Sequence, residues 1–311
     1  KEKYKMKTKF TPEQLAKYFD QTLLKPYVTE QRLKEFCEES DRYGFAMVAI
    51  NSAPVKFCRE VLKNSSVHVG AAIGFPLGHS FSRRYFTEKF DREGIADCEY
   101  RNFPIESIEE VSRLLSRPEL QGFNVTIPYK QQIIPYLSAL SDEARAIGAV
   151  NCVRLGPDGP VGYNTDAFGF RRSLLSLLGG ARPERALVLG TGGASKAVGY
   201  VLGELGIPFD SVSRDSNKCR FRYGTLTADA VSDRRLIVNA TPLGTYPATE
   251  GYPPIPYEGI GPGHFLFDLV YNPPLTEFLR RGAERGAATR NGYDMLVGQA
   301  ERAWEIWNGK P

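Results

Sequence analysis

Three glycines carry the most local chemistry in this sequence. Gly190, Gly192 and Gly193 of "RALVLGTGGASKAVGYVL" come directly after a short apolar strand pattern and directly before a helical one. Glycine there permits a tight turn and lets backbone N–H groups approach a pyrophosphate, whose charge the helix N-terminus favours. Ser195 stands where the usual dinucleotide fingerprint has its third glycine, so a Gly-rich structural turn is the competing explanation. About 20 residues on, where such a fold meets the adenosine ribose, stands "SRDSNK". Arg214 and Lys218 could pair with a 2′-phosphate and select NADP. Asp215 could instead accept from a free ribose hydroxyl, but two cations against one anion favour NADP.

A loop of this kind needs strands and helices in alternation. From Thr11, "TPEQLAKYF" and "TEQRLKEFCEESDRYG" read as helices, and "QTLLKP", "FAMVAINS" and "VHVGAAIGF" as short strands. Continuous apolar strands separated by helices indicate a parallel sheet buried on both faces. Next come helix "SRRYFTEKFDREG", strand "CEYRNFPI", helix "SIEEVSRLLSRP", strand "LQGFNVTIP" and helix "KQQIIPYLS". After "GYNTDAFGFRRSLLSLLGG" a second run brings strand "RALVLG", helix "ASKAVGYVLGELG", strands "FDSVSR", "LIVNAT" and "HFLFDLVY", and the amphipathic tail "MLVGQAERAWEIW". "TPLGTYPATEGYPPIPYEGIGPGH" reads as a loop at a strand end, the usual place for ligand contact in an open α/β sheet.

Composition narrows the function classes. The 311 residues are 42% hydrophobic and 24% charged, enough for about two domains with their own cores. The apolar runs fall short of the roughly 18 residues that a membrane span needs, and no charged-then-apolar leader precedes a cleavage-like site. A soluble cytoplasmic protein is the expectation. Five cysteines (Cys37, Cys58, Cys98, Cys152, Cys219), none in a CxxC pair, and three scattered histidines point to free thiols and no metal. Net charge is +4, and residues 1–70 hold all of the excess, 13 Lys and Arg against 9 Asp and Glu. The alternating "KEKYKMKTK" fits a solvated terminus better than a nucleic-acid handle. The basic residues also change type: 10 Lys and 3 Arg before residue 71, 5 Lys and 22 Arg after it. Folding gives little reason for that switch, which hints at two genetic histories.

Eight motifs occur in an order and spacing that resemble the shikimate dehydrogenases: "GFPLGHSFS", "GFNVTIPYK", "AIGAVN", "GYNTDAFGF", "VLGTGGASKAV", "NATPLGTYP", "FDLVYNPP" and "NGYDMLVGQAERAWEIW". The resemblance runs from about Ala71 to Asn308. It implies a two-domain α/β fold, with a substrate-binding domain over 67–168 and 290–311 and a Rossmann NADP domain over 169–289. The implied reaction is reversible NADPH-dependent reduction of 3-dehydroshikimate to shikimate in aromatic biosynthesis. Lys130 and Asp166 would form the catalytic pair, the carboxylate orienting an ammonium that meets the developing alkoxide. Taken singly, Lys130 would be a solvated residue starting a helix and Asp166 the cap of the helix that follows. By the same resemblance Ser80 and Ser82 would bind the substrate carboxylate with help from Thr126 and Tyr271, while Asn151 and Gln299 would read ring hydroxyls beside the pair. Gly190, Gly192, Gly193, Ala194, Ser213, Arg214 and Lys218 would hold the adenosine and pyrophosphate part of NADP, and Thr241, Leu269 and Gly292 its nicotinamide half. No metal is implied. The sequence departs from the family's pattern at Arg83, usually Pro, at Phe86-Thr87, usually His-Asn, and at Asp294, commonly Gly. These departures bear on substrate preference, so a quinate or NAD-using dehydrogenase and a ligand-binding protein without turnover are the alternatives.

The preceding segment resembles another family. Residues 11–78, through "DQTLLKP" and "IGFPLG", are similar to the opening of deoxyribose-phosphate aldolase, a TIM barrel, with Gln21 where His is usual. The strands that would carry that enzyme's Schiff-base lysine are missing, so aldolase activity is not expected and Lys25 has no catalytic role. Residues 1–66 are expected to form an extra β-α-β-α lobe. "IGFPLG" is shared by both families, and its use in the dehydrogenase is expected to win because that sheet's partner strands follow in the chain.

Overall fold

The structure, a computed structural model, describes residues 20–23, 31–32, 34–35, 37–38, 47–50, 71–74, 81–95, 98–117, 120–214 and 219–309. The chain divides into two compact units, Lys1–Val69 with Ile95–Glu99, and Gly70–Gly94 with Tyr100–Pro311. In the first, β1 (Asp20–Leu23) pairs in parallel with β2 (Met47–Ile50), Asp20 opposite Met47, and helical residues lie between them at 31–32, 34–35 and 37–38. The expected helix "TPEQLAKYF" lies outside the described residues.

The second unit holds two six-stranded sheets. In the first, β3 (Ala71–Gly74) lies between β4 (Asn102–Pro104) and β5 (Gly122–Val125), parallel to both. The described part of the shared "IGFPLG" stretch, Ile73 and Gly74, therefore forms its ladder with strands that follow it. On the far side of β5 come β7 (Cys152–Gly156) and β8 (Gly159–Tyr163), an antiparallel hairpin, and then β6 (Ala139–Leu140). Helix α1 (Phe81–Glu93) precedes β4 and ends at Gly94, whose φ of +66° suits glycine.

The sequence suggested a helix over "KQQIIPYLS", but the chain there forms turns and a short 3₁₀ segment, Ile134–Tyr136. Pro135 lacks an N–H and disfavours helical geometry in the residue before it. "SIEEVSRLLSRP" likewise splits into a 3₁₀ turn, Ile108–Glu110, and the short α2 (Val111–Leu115); Ser107 and Glu110 form a capping box at its start.

After α3 (Asp142–Ile147) and the hairpin, α4 (Thr165–Leu178) leads into a fully parallel sheet of β9 (Ala186–Leu189), β10 (Phe209–Ser213), β11 (Phe221–Arg222), β12 (Leu236–Asn239), β13 (Phe265–Asp268) and β14 (Ala288–Arg290), in the order β11-β10-β9-β12-β13-β14. The central strands β9 and β12 are buried along their whole length, as a sheet covered on both faces requires. Between strands lie α5 (Gly193–Glu204), α6 (Ala228–Ser232) and α7 (Glu277–Ala283), and α8 (Tyr293–Trp307) closes the unit.

On α4, Ala167, Phe170, Leu174 and Leu178 recur at helical spacing and pack in one core with Val188, Val198, Leu202 and Val238. Phe170 meets Phe267 edge-on at 5.0 Å. Helices α4 and α8 cross at two glycines, Gly298 lying so close that a Cβ there would be 3.1 Å from Gly169 Cα. Among the described residues no helix is long and apolar enough to cross a membrane, and no group of three or more His, Cys, Asp or Glu is placed to hold a metal.

Candidate active site

Two strand ends and one helix start build the site. The chain leaves β5 at Val125 and turns through Thr126 to Lys130, where the Lys130 carbonyl accepts from the Val150 amide at 2.7 Å. Asn151, just before β7, is held on both sides: its N–H donates to Tyr163 O at 3.1 Å, and its carbonyl accepts from Val125 N at 2.8 Å. Leaving β8, Asn164 caps α4 by accepting from Ala167 N at 3.2 Å. The cap is thus Asn164, two residues before Asp166. An amide is a strong capping group, and it leaves the Asp166 carboxylate in the first turn, where the helix dipole favours a negative charge.

There Lys130 Nζ donates to Asp166 Oδ2 at 2.7 Å. The Lys130 side chain keeps 16% of its exposure and that of Asp166 only 3%. Asn151 Nδ2 lies 3.0 Å from Asp166 Oδ1 and 3.0 Å from the Thr165 hydroxyl, while Asn151 Oδ1 accepts from Thr165 N at 2.6 Å. Both carboxylate oxygens are therefore satisfied, and the cation is the partner that reaches solvent. Such a pair can hold a proton at Nζ against a bound oxygen atom.

The bracing continues away from the pair. Asn124 Nδ2 donates to Asn151 O at 3.3 Å, Asn124 Oδ1 accepts from the Tyr100 hydroxyl at 2.6 Å, and the Ser82 side chain lies near that same hydroxyl. Burial pushes the Tyr100 phenol well above its ordinary range, which keeps it a neutral donor. Ser82 and the Lys130–Asp166 pair are thus ends of one polar chain. Asn124, Tyr100 and Thr165 belong to it although sequence reasoning did not single them out; the signal was a polar residue inside the apolar run "GFNV" and the "NTD" triplet.

The other expected residues fall around this line. Thr126 is exposed on the turn before Lys130, and Ser80 and Lys218 lie outside the described residues. Gln299 reaches α4 over Gly169, three residues on from Asp166; its Cγ would be 3.1 Å from a Cβ at 169. Half-buried Tyr271 packs edge-on against Phe81 at 5.7 Å, beside Ser82. Burial raises the Tyr271 hydroxyl above its usual pKa, against the pull of nearby Arg84.

The glycine loop has the shape an anion needs. Gly190 adopts φ +107°, and a Cβ there would lie 3.0 Å from Thr241 Cγ2 and 3.1 Å from Ala240 O. Gly192 begins α5 with no side chain capping its free N–H groups, and a Cβ at Gly192 or Gly193 would meet open space. These features fit a dinucleotide pyrophosphate. Ala194 follows in the first turn, Ser213 ends β10 with its hydroxyl 3.3 Å from that of Thr191, and Arg214 is exposed beside it. Thr241, Leu269 and Gly292 gather at the carboxyl ends of β12 and β13 and the start of α8.

Known proteins share this fold. The family described as shikimate dehydrogenase substrate binding domain matches residues 72–153. A shikimate dehydrogenase (NADP(+)) of Methanococcus aeolicus is 33% identical over 262 residues, which cover 79% of this chain and 94% of that one. The Thermus thermophilus shikimate 5-dehydrogenase, solved in complex with NADP(H) and shikimate, superimposes with a TM-score of 0.68 at 31% identity, covering 78% of this chain and 94% of that one. A quinate dehydrogenase of Corynebacterium glutamicum in complex with NAD gives a TM-score of 0.71 at 26% identity, with coverage of 78% and 94%.

Proposed function

Since this chain belongs to the shikimate dehydrogenase family, we propose that Lys130 and Asp166 are the proton-handling pair of an NADP-dependent enzyme that interconverts 3-dehydroshikimate and shikimate. The observation that carries the assignment is the 2.7 Å contact between a partly exposed ammonium and a buried carboxylate whose second oxygen is held by Asn151. NADPH, when bound, supplies the hydride that reduces the ketone carbon. Lys130 Nζ gives the carbonyl oxygen its proton as negative charge develops there, and in the reverse direction takes the hydroxyl proton. Asp166 aims the ammonium and balances its charge. Proton exchange with solvent then passes through Lys130, the more exposed partner.

The remaining assignments follow the same line. Ser80 and Ser82 bind the substrate carboxylate with Thr126 and Tyr271, and Asn151 and Gln299 read ring hydroxyls, because a site that satisfies hydroxyls rejects analogues lacking them. Gly190, Gly192, Gly193 and Ala194 bind the pyrophosphate, Ser213, Arg214 and Lys218 the ribose phosphate, and Thr241, Leu269 and Gly292 the nicotinamide. The domain limits are 67–168 with 290–311 for substrate and 169–289 for cofactor. Purified protein given shikimate and NADP should form reduced cofactor, and faster than with quinate or with NAD. No reduction with shikimate, or a preference for quinate and NAD, would overturn this reading.

For the N-terminal segment, we infer a fragment related to the opening of deoxyribose-phosphate aldolase. The parallel β1–β2 pair with helical residues between them supports it, since parallel neighbours need a crossover. Release of acetaldehyde from deoxyribose 5-phosphate by the chain would contradict its catalytic silence.

A further inference from the structure

Asp268 ends β13 fully buried, the one charged residue of an otherwise apolar strand. Three neutral donors converge on it. Asn239 Nδ2 at 2.9 Å and the Val270 amide at 3.0 Å meet Oδ1, and the Thr276 hydroxyl at 2.6 Å meets Oδ2. Asn239 ends the neighbouring β12 directly opposite Asp268 in the ladder. Because its Nδ2 is committed to the carboxylate, its Oδ1 faces the following loop, where it accepts both the N–H and the hydroxyl of Thr241, at 3.1 and 2.6 Å.

The same carboxylate governs the next turn. Leu269 N donates to Asn239 O at 3.0 Å, and Gly292 N donates to Val270 O at 3.0 Å. A Cβ at 292 would overlap the Leu269 carbonyl, so the α8 start is seated directly on this turn. Thr276, after bonding Asp268, also caps α7 by accepting from Leu279 N at 3.4 Å. Asp268 thus fixes one amide orientation and one turn, and these carry Thr241, Leu269 and Gly292.

We propose that Asp268 is a positioning residue for the nicotinamide half of the cofactor, acting through Asn239 on Thr241 and through Val270 on Leu269 and Gly292. The proposal rests on the reading that those three residues line that half. An ionised carboxylate is acceptor-only and can serve all three donors. An amide of the same shape offers one acceptor oxygen in place of two, so at least one of the three donors loses its acceptor in a site where water cannot compensate.

Titration calorimetry with NADP and with adenosine 2′,5′-bisphosphate, which lacks the nicotinamide, tests this on Asp268→Asn, Asp268→Ala and Thr241→Val. Asp268→Asn should weaken NADP about ten-fold and Asp268→Ala more, both leaving the bisphosphate within about two-fold. In the double variant of Asp268→Asn with Thr241→Val the loss should be smaller than the sum of the two single losses, since Thr241→Val removes one of the two contacts through which Asp268 acts. Equal loss of both ligands, whether from a damaged nucleotide site or a failure to fold, overturns the positioning role, and so does unchanged NADP affinity. If Thr241→Val weakens NADP while Asp268→Asn does not, Asp268 has no such role. If Asp268→Asn acts and Thr241→Val does not, it is the reading of Thr241 that fails.

Discussion

Asp166 and Asp268 are both withdrawn from water, 2% and 0% exposed, yet they are accommodated by different means. Asp166 meets a cation that itself reaches solvent, with Asn151 as its neutral brace. Asp268 meets only neutral donors, and every one of them belongs to the strand ends and turns around it. A buried carboxylate paired with a half-open ammonium is equipped to manage a proton. One enclosed by amides and a hydroxyl holds its surroundings in a fixed shape.

Charge removal separates the two roles most sharply. Asp166→Asn should lower kcat by a factor of about 10² or more, whereas Asp268→Asn at saturating NADP should leave kcat within about three-fold. Steady-state rates at saturating shikimate and NADP check this, and comparable kcat losses in both variants would erase the distinction. A smaller effect is expected at the far end of the polar chain. Ser82→Ala should raise the KM for shikimate about ten-fold with kcat little changed; an unchanged KM would confine Ser82 to supporting Tyr100.

The smallest expected effect is on stability. Burial pushes the Asp268 carboxyl up from 3.8 to about 6, against the pull of its bonds to Thr276, Val270 and Asn239. The native chain then holds this proton more tightly than the unfolded one, so Asp268 costs stability as pH rises from about 4 to about 6, and the cost is complete above that. Asp268→Asn lacks this titration. The stability of the parent chain relative to the variant should therefore fall across that window, as read from denaturant midpoints. A difference independent of pH would contradict the burial argument.

Sequence reading reached the parts whose causes are local. The strand "RALVLG", the glycine turn and the helix after it succeed one another along the chain, and they stand so in the structure. The Lys130–Asp166 contact joins residues 36 positions apart, so only resemblance suggested it. What brings them together is the β7–β8 hairpin, which was hard to recognise because "CVRLGPDGPVGY" is glycine-rich and weakly alternating. Asp268 escaped notice for the opposite reason: "HFLFDLVY" read well as a buried strand, and the lone acid in it was the overlooked signal. Asn239, closing "LIVN", is the same kind of sign, since a polar residue ending a buried strand must find partners.

The contrast between the two carboxylates depends on Lys130 being the group that moves the proton. The most direct test is the turnover of Lys130→Ala, followed as reduced cofactor formed from shikimate and NADP, with shikimate binding measured alongside. The pair predicts a kcat lower by about 10² to 10⁴ in a variant that still binds shikimate. Turnover equal to that of the parent chain would show that the proton is handled elsewhere.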